Sequence, residues 1–302
     1  MAVQSGGAAV LFSIEFQFSS ADGLQIKCAR WDAVGHRRGV VQIAHGMGEH
    51  IGRYTPLIAH LTSAGFTVYG NDHRGHGRTA PSKEHLGDFG KGGFDLLVGD
   101  MHRLSRIAKD ENPGQPFILL GHSMGSFASQ QYVLDHSDAI DGLALSGSGA
   151  LDGLARLAGS APAGTNILNA RFEPGRTPFD WLSRDTATVD AFINDPRCFP
   201  SLQPTAFASF LGAAGKLSDP ANFRKIRKDL PVYLFSGSED PVGEQLAGVA
   251  VLIQRYRDAG ISGISHDFYP GGRHEMLNEV NRKEVRERLM RWISETVTSS
   301  RL

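Results

Sequence analysis

Short, continuously apolar runs alternate with helix-period patterns along most of this chain, and that alternation restricts the fold more than any other feature. Residues 39–44 read Gly-Val-Val-Gln-Ile-Ala, and residues 66–69, 117–120, 143–145 and 232–235 are of the same buried-strand type. Between them, Tyr54, Leu57, Ile58 and Leu61 recur at helical spacing with Gly65 as a stop, and Phe94, Leu97, Val98, Met101, Leu104 and Ala108 mark a second amphipathic helix. A helix from Met124 follows the run at 117–120, and another, beginning at Glu244, follows the run at 232–235. Residues 266–269 form a last strand, and the closing helix carries Val285, Leu289, Trp292, Ile293 and Val297 on one face. Repeated strand–helix units predict an α/β fold whose mostly parallel central sheet is covered by helices on both faces. Ahead of it, two period-2 runs at 15–18 and 24–31 flank Asp22-Gly23 and predict an antiparallel hairpin.

The alternation stops at about Ala150 and does not resume until after Gly212, with short helical pieces only near residues 179–182 and 189–193. The chain therefore divides into a first core part (1–149), an insertion (150–212) and a second core part (213–302). Leu151, Leu154, Leu157, Ile167, Leu168, Phe179, Trp181 and Leu182 are more apolar residues than a surface loop requires. They predict a small core within the insertion, with a minority lining an apolar ligand tunnel.

Charge and cysteine content exclude several classes of function. Thirty-one basic and 32 acidic side chains leave a net charge of −1, which is no footprint for nucleic acid. No apolar run approaches a membrane span, and the first eighteen residues lack the basic start of a secretory signal. Two cysteines, Cys28 and Cys198, allow at most one disulfide, and two free thiols in the cytoplasm are the simpler reading.

One pentapeptide carries chemistry. Gly121-His122-Ser123-Met124-Gly125 is a G-x-S-x-G set between a buried strand and a helix. With 36 glycines in 302 residues, chance alone supplies about 0.35 such pentapeptides, so the strand–helix context is what makes it informative. A serine on a strained strand-to-helix turn exposes its hydroxyl at the carboxyl edge of the sheet, beside a helix N-terminus that favours developing negative charge. A nucleophilic serine needs a base and an orienting acid. Among twelve histidines, His274 follows the last strand, and Asp240 follows the strand before it. Both are thus expected at the ligand-binding edge of the sheet, in the order Ser, Asp, His. Glu239 is the rival acid; Asp240 is preferred because Pro241 fixes its turn and its side chain is shorter. A glycine-rich loop, Gly46-Met47-Gly48, follows the first core strand. The amides of Met47 and Met124 are the candidate donors to a tetrahedral oxyanion. His45, Glu49 and His50 read as a hydrogen-bond network holding that loop. Asp72, His73 and His76 match no closed zinc pattern and read as a pinned turn. Gly90-Lys91-Gly92-Gly93 lacks the ending and the preceding strand of a phosphate loop.

Together these segments resemble the monoacylglycerol lipase and lysophospholipase branch of the α/β-hydrolase superfamily. The resemblance runs through His45-Gly46-Met47-Gly48-Glu49-His50 with Arg53-Tyr54, Asp72-His73-Arg74-Gly75-His76-Gly77 and the serine pentapeptide. It continues in Leu182-Ser183-Arg184-Asp185, Asn194-Asp195-Pro196, Gly237-Ser238-Glu239-Asp240-Pro241-Val242 and Arg273-His274-Glu275-Met276-Leu277-Asn278. It implies an α/β-hydrolase fold with an inserted helical cap, a Ser123/Asp240/His274 triad and a Met47/Met124 oxyanion hole. It also implies an acyl pocket bounded by cap residues between Leu151 and Leu182. The implied partner is a small-molecule acyl ester, cleaved without metal or cofactor, and transient contact of the cap with a membrane surface is compatible with it. Ser126 departs from the family, which continues the elbow with another glycine. Other activities on the same fold are a short-chain carboxylesterase, a lactonase or an acyltransferase; a non-catalytic ligand receptor is the reading outside enzymology. The glycines at 46, 48, 75, 77, 121, 125, 237, 271 and 272 all follow predicted strands, whereas Gly149, Gly153, Gly159 and Gly164 fall in the insertion.

Overall fold

A computed structural model describes residues 11–162 and 165–300; Gly164 and the first ten residues lie outside them. The predicted hairpin is present as β1 (Ile14–Ser19) and β2 (Gln25–Trp31), paired antiparallel. The core then alternates β3 (Gly39–Ala44), α1 (Thr55–Ser63), β4 (Phe66–Asn71), α2 (Gly93–Glu111), β5 (Phe117–His122), α3 (Met124–His136) and β6 (Gly142–Ser146). The insertion contributes α4 (Leu151–Ser160), α5 (Thr186–Asn194) and α6 (Pro204–Gly212). Alternation resumes through α7 (Pro220–Phe223), β7 (Val232–Gly237), α8 (Ala247–Asp258), β8 (Ile264–Tyr269) and α9 (Arg282–Ser299).

The eight strands form one sheet in the order β1-β2-β4-β3-β5-β6-β7-β8, parallel from β4 to β8. The chain leaves β3 toward β4 on one side and returns to β5 on the other. The ends of β3 and β5 therefore flank a topological switch point, where open α/β sheets bind ligands. Strand periodicity assigns each face its own core. Val41, Ile43, Ile118, Leu120, Ala144 and Phe235 pack with α1 and α9. Val40, Leu119, Leu143, Leu145 and Leu234 pack with α2, α3 and α8. Every residue of β3, β4, β5, β6 and β7 is buried, which is why these strands read as continuous apolar runs.

Three local expectations change. The helix expected at Glu244 begins at Ala247, because Glu244, Gln245 and Leu246 adopt φ of 51°, 50° and 76°. The Gln245 amide is taken by the Asp240 carbonyl at 2.9 Å, so these residues close the loop around the acid instead of opening a helix. The helical piece near 179–182 is a single 3-10 turn. The insertion is more helical than its glycine- and alanine-rich sequence suggests. Leu151, Leu154, Ala206 and Phe210, from α4 and α6, join the larger core, while Leu182, Val189 and Phe192 form a small cluster of their own.

Candidate active site

Ser123 occupies the turn from β5 into α3 at φ 53°, ψ −124°, a backbone conformation disfavoured for any side chain. Its amide is anchored to the Ser146 carbonyl (2.9 Å), and its carbonyl receives the Ser126 and Phe127 amides (2.8 and 3.1 Å). Only glycines fit on either side. A Cβ on Gly121 would stand 2.5 Å from the Gly125 carbonyl, and one on Gly125 would stand 2.2 Å from the Ala44 carbonyl. The motif's glycines thus let β5, α3 and the end of β3 close on one another. Ser126 is accommodated without crowding: its hydroxyl donates to the Ser123 carbonyl (2.6 Å) and lies 2.9 Å from Ser148 Oγ, from which it can accept.

His274, after β8, is buried with Nδ1 2.9 Å from Asp240 Oδ1, after β7. Asp240 is also fixed by the Val242 amide donating to the same oxygen (2.9 Å). Glu239 turns outward to an exposed ion pair with Arg171 at 3.1 Å, so of the two acids it is Asp240 that meets the histidine. Burial works against a charged His274, but the Asp240 charge and hydrogen bond outweigh it and hold the imidazole pKa above its usual 6.5. The ring lies between His122 (4.7 Å) and Trp181 (4.8 Å). His122 is pushed down to about 4 by burial and by neighbouring His274, so it stays neutral beside it.

The loop after β3 brings Met47 to the same cleft. Among the described residues, none accepts a hydrogen bond from the Met47 or Met124 amide, whereas the flanking Gly46 and Gly48 amides are both engaged. Gly46 donates to Glu49 Oε1 (2.6 Å) and Gly48 to His76 Nε2 (3.1 Å). Tyr54 also donates to Glu49 (2.7 Å), and Arg53 pairs with both Glu49 and Glu275 (2.7 Å each). Burial opposes the Glu49 charge, but the Arg53 guanidinium and the Tyr54 hydrogen bond bring its pKa down to about 2. His45 donates to the Gly46 carbonyl through Nδ1 (2.8 Å) and accepts the His73 amide at Nε2 (2.9 Å). Burial keeps His45, His73 and His76 neutral, the last near 3. This is the structural network expected for His45 and Glu49.

His50 Nε2, Asp195 and Cys198 Sγ also converge within 4.8 Å. His50 Nδ1 accepts the Gly52 amide (3.2 Å), which leaves the proton on Nε2, aimed at Asp195 (2.8 Å). That tautomer offers no lone pair to a metal there. Both cysteines are free thiols.

Ser123, His274, Met47 and Met124 line one cavity of about 430 Å³. Its polar end holds Glu49, Arg53, His122 and Glu275, and its apolar length runs between Phe127 and Val242 of the core and residues of the insertion. Leu154, Ile167, Leu168, Phe179, Trp181 and Leu182 line it, six of the eight apolar residues singled out in that segment and not the minority expected, whereas Leu151 is buried in the main core. The lining continues beyond Leu182 to Phe192, Phe199, Phe207 and Phe210, which sequence reading missed. The i, i+3 spacing of Phe207 and Phe210 after Pro204 was the available signal, an apolar stripe opening with a helix-starting proline. The Arg53–Glu275 pair had no such signal, because its partners are 222 residues apart.

A sheet of this order with these loops at its carboxyl edge defines a hydrolase of the α/β type. The model of the serine aminopeptidase S33 family matches residues 35–281, and the chain belongs to that family, within the α/β-hydrolase superfamily. A monoacylglycerol lipase of Mycolicibacterium smegmatis is 31% identical over 288 residues, covering 92% of this chain and 96% of that protein. Mouse monoglyceride lipase is 27% identical over 275 residues, 87% of each chain. A thermostable carboxyl esterase from Bacillus coagulans, solved in complex with glycerol, superposes with a TM-score of 0.83 at 29% identity, over 95% of this chain and all of that one. Among the described residues no helix is long and apolar enough to cross a membrane.

Proposed function

We propose that this chain is a carboxylic ester hydrolase that cleaves acyl esters of glycerol through an acyl-enzyme on Ser123. The observation that carries this reading is the buried His274–Asp240 pair opening onto the same cavity as the strained Ser123 turn. With Nδ1–H donated to Asp240, His274 keeps its Nε2 lone pair for the Ser123 hydroxyl proton. As that proton leaves, Oγ attacks the ester carbonyl, and the Met47 and Met124 amides receive the oxyanion. His274 returns the proton to the departing alcohol, and water repeats the sequence on the acyl-enzyme to release the acid. Residues 150–212 act as the cap over the acyl chain. Two unpaired thiols fit a reducing, cytoplasmic setting.

The polar end of the cavity favours a neutral alcohol. Its guanidinium, Arg53, is already shared by two carboxylates, so a phosphodiester headgroup would meet uncompensated negative charge. This supports a monoacylglycerol over a lysophospholipid, and the name carried by the mycobacterial relative agrees with it. An ester panel tests the reading: monoacylglycerols, lysophospholipids and p-nitrophenyl esters of increasing length, each on wild type and on Ser123→Ala. The expected result is Ser123-dependent turnover, greatest for monoacylglycerols. A sharp optimum at acetate would replace the lipid substrate with a short-chain ester, and turnover by Ser123→Ala would remove the mechanism.

A further inference from the structure

We propose that Arg53 is a positioning residue that holds the oxyanion loop and the histidine loop in a fixed relation across the cleft. The inference rests on the Ser123/His274 reading above. In the sheet, β3 and β8 are separated by β5, β6 and β7, so no ladder hydrogen bond connects the strands that deliver Met47 and His274. At about 4.8 Å per strand, the two strands run about 19 Å apart, and their loops must lean inward to share a cleft. One guanidinium spans the gap. Its Nη1 donates to Glu49 Oε2 and Glu275 Oε1, both at 2.7 Å, and its Nη2 donates to Glu275 Oε2 at 2.9 Å.

Each end of this bridge bears on the residue next to a reacting group. Glu49 uses its other oxygen to hold the amide of Gly46, the residue before Met47. Glu275 follows His274 directly, and its own amide is taken by the Leu182 carbonyl of the cap (2.7 Å). The guanidinium also lies over the Phe192 ring at 5.1 Å, so the cap rests on the same group. A planar, forked cation is suited to this task, because a lysine supplies the charge without the bidentate geometry. Two carboxylates and one guanidinium in a site nine-tenths buried form a poor device for stability alone, since apolar packing of the same volume is often as good. They specify one relative placement of two loops.

The bridge also sets the charge around the base. His274 is bonded to Asp240, adjoins His122 and feels the charges of Glu275 and Glu49. Without the guanidinium, Glu49 and Glu275 become uncompensated anions that favour the imidazolium. The acid limb of activity, which requires neutral His274, then moves to higher pH.

The test compares wild type, Arg53→Lys and Arg53→Met on a p-nitrophenyl ester, with kcat, KM and the pH profile of kcat/KM measured on proteins shown by melting to be folded. Arg53→Lys is expected to lose about tenfold or more in kcat with KM within about twofold, its acid limb unmoved. Arg53→Met is expected to lose about 100-fold, the scale of a misplacement near 1 Å, and to shift the acid limb upward. Should Arg53→Met not fold, Glu275→Gln with Arg53→Lys carries the same comparison, and the expected loss again lies in kcat. Wild-type kcat in Arg53→Lys, or a loss confined to KM, overturns the proposal. Activity in Ser123→Ala, run alongside, would overturn the underlying reading instead, so the two failures are distinguishable.

Discussion

The carboxyl edge of the sheet and residues 150–212, read here as its cap, bound the same cavity, but they are held in different ways. At the sheet edge, each candidate functional side chain stands within a few residues of a strand whose register is set by backbone pairing, fully buried in the case of β3, β5 and β7. The turns there are forced by glycines that cannot be exchanged: Gly125 lies against the Ala44 carbonyl, and a Cβ on Gly237 would stand 2.0 Å from the Gly272 carbonyl. Among its described residues the cap has no strand, and there is no such steric requirement at Gly159, where a Cβ would meet nothing within 4 Å. Its 180–185 segment is instead tied to the histidine loop. His274 and Glu275 donate backbone amides to Trp181 and Leu182, and Arg184–Glu279 (3.1 Å) and Arg282–Asp185 (2.6 Å) add ion pairs. Local chain geometry builds the edge, and contacts distant in sequence seat the cap on it.

Substitutions that distinguish the two regions follow, the largest effect first. Asp240→Asn disturbs the tautomer of His274 and is expected to reduce kcat by about 10⁴-fold with the fold retained. Glu239→Gln next to it, which breaks only an exposed pair with the cap residue Arg171, should leave kcat within about twofold. Comparable losses in both would dissolve the assignment of the acid. Gly125→Ala forces α3 away from the end of β3 and is expected to cost more than about 4 kcal/mol, read as loss of soluble folded protein or a collapsed melting temperature. A well-folded Gly125→Ala enzyme would show that the edge is less rigid than its contacts imply.

Two smaller effects sharpen the same contrast. Because the His274 pKa is raised and the base must be neutral, kcat/KM should fall with decreasing pH through a value above the ordinary imidazole 6.5, not below it. An acid limb at or under that value would mean that burial, not Asp240, governs the site. Gly159→Ala, at an open position of α4, should stabilise by about 0.5–1 kcal/mol and raise the melting temperature by about 1–3 °C. An unchanged transition would indicate that the cap opens independently, before the core melts.

The same contrast explains what could be read from the sequence. The parallel strands were legible because burial on both faces leaves continuous apolar runs, and the serine turn because glycine is the only residue its contacts tolerate. Asp240 and His274 were expected from their places after successive strands, and Asp240 was preferred to Glu239 for Pro241 and its shorter side chain; the side-chain direction itself, with Asp240 2.9 Å from His274, was not legible in the sequence. The helix expected from Glu244 begins only at Ala247 because three left-handed residues intervene. In the cap, α4 and α6 escaped notice because glycine and alanine weaken helical periodicity, and their apolar faces are completed by the larger core. The Glu49–Arg53–Glu275 bridge was invisible for a simpler reason: its members come from opposite ends of the chain.

The central claim is that Ser123 is the nucleophile of a site whose base and acid are His274 and Asp240, and active-site labelling tests it most directly. A fluorophosphonate probe should label wild type stoichiometrically at one residue and label Ser123→Ala not at all, with both proteins melting alike. Equal labelling of the two proteins would contradict the account.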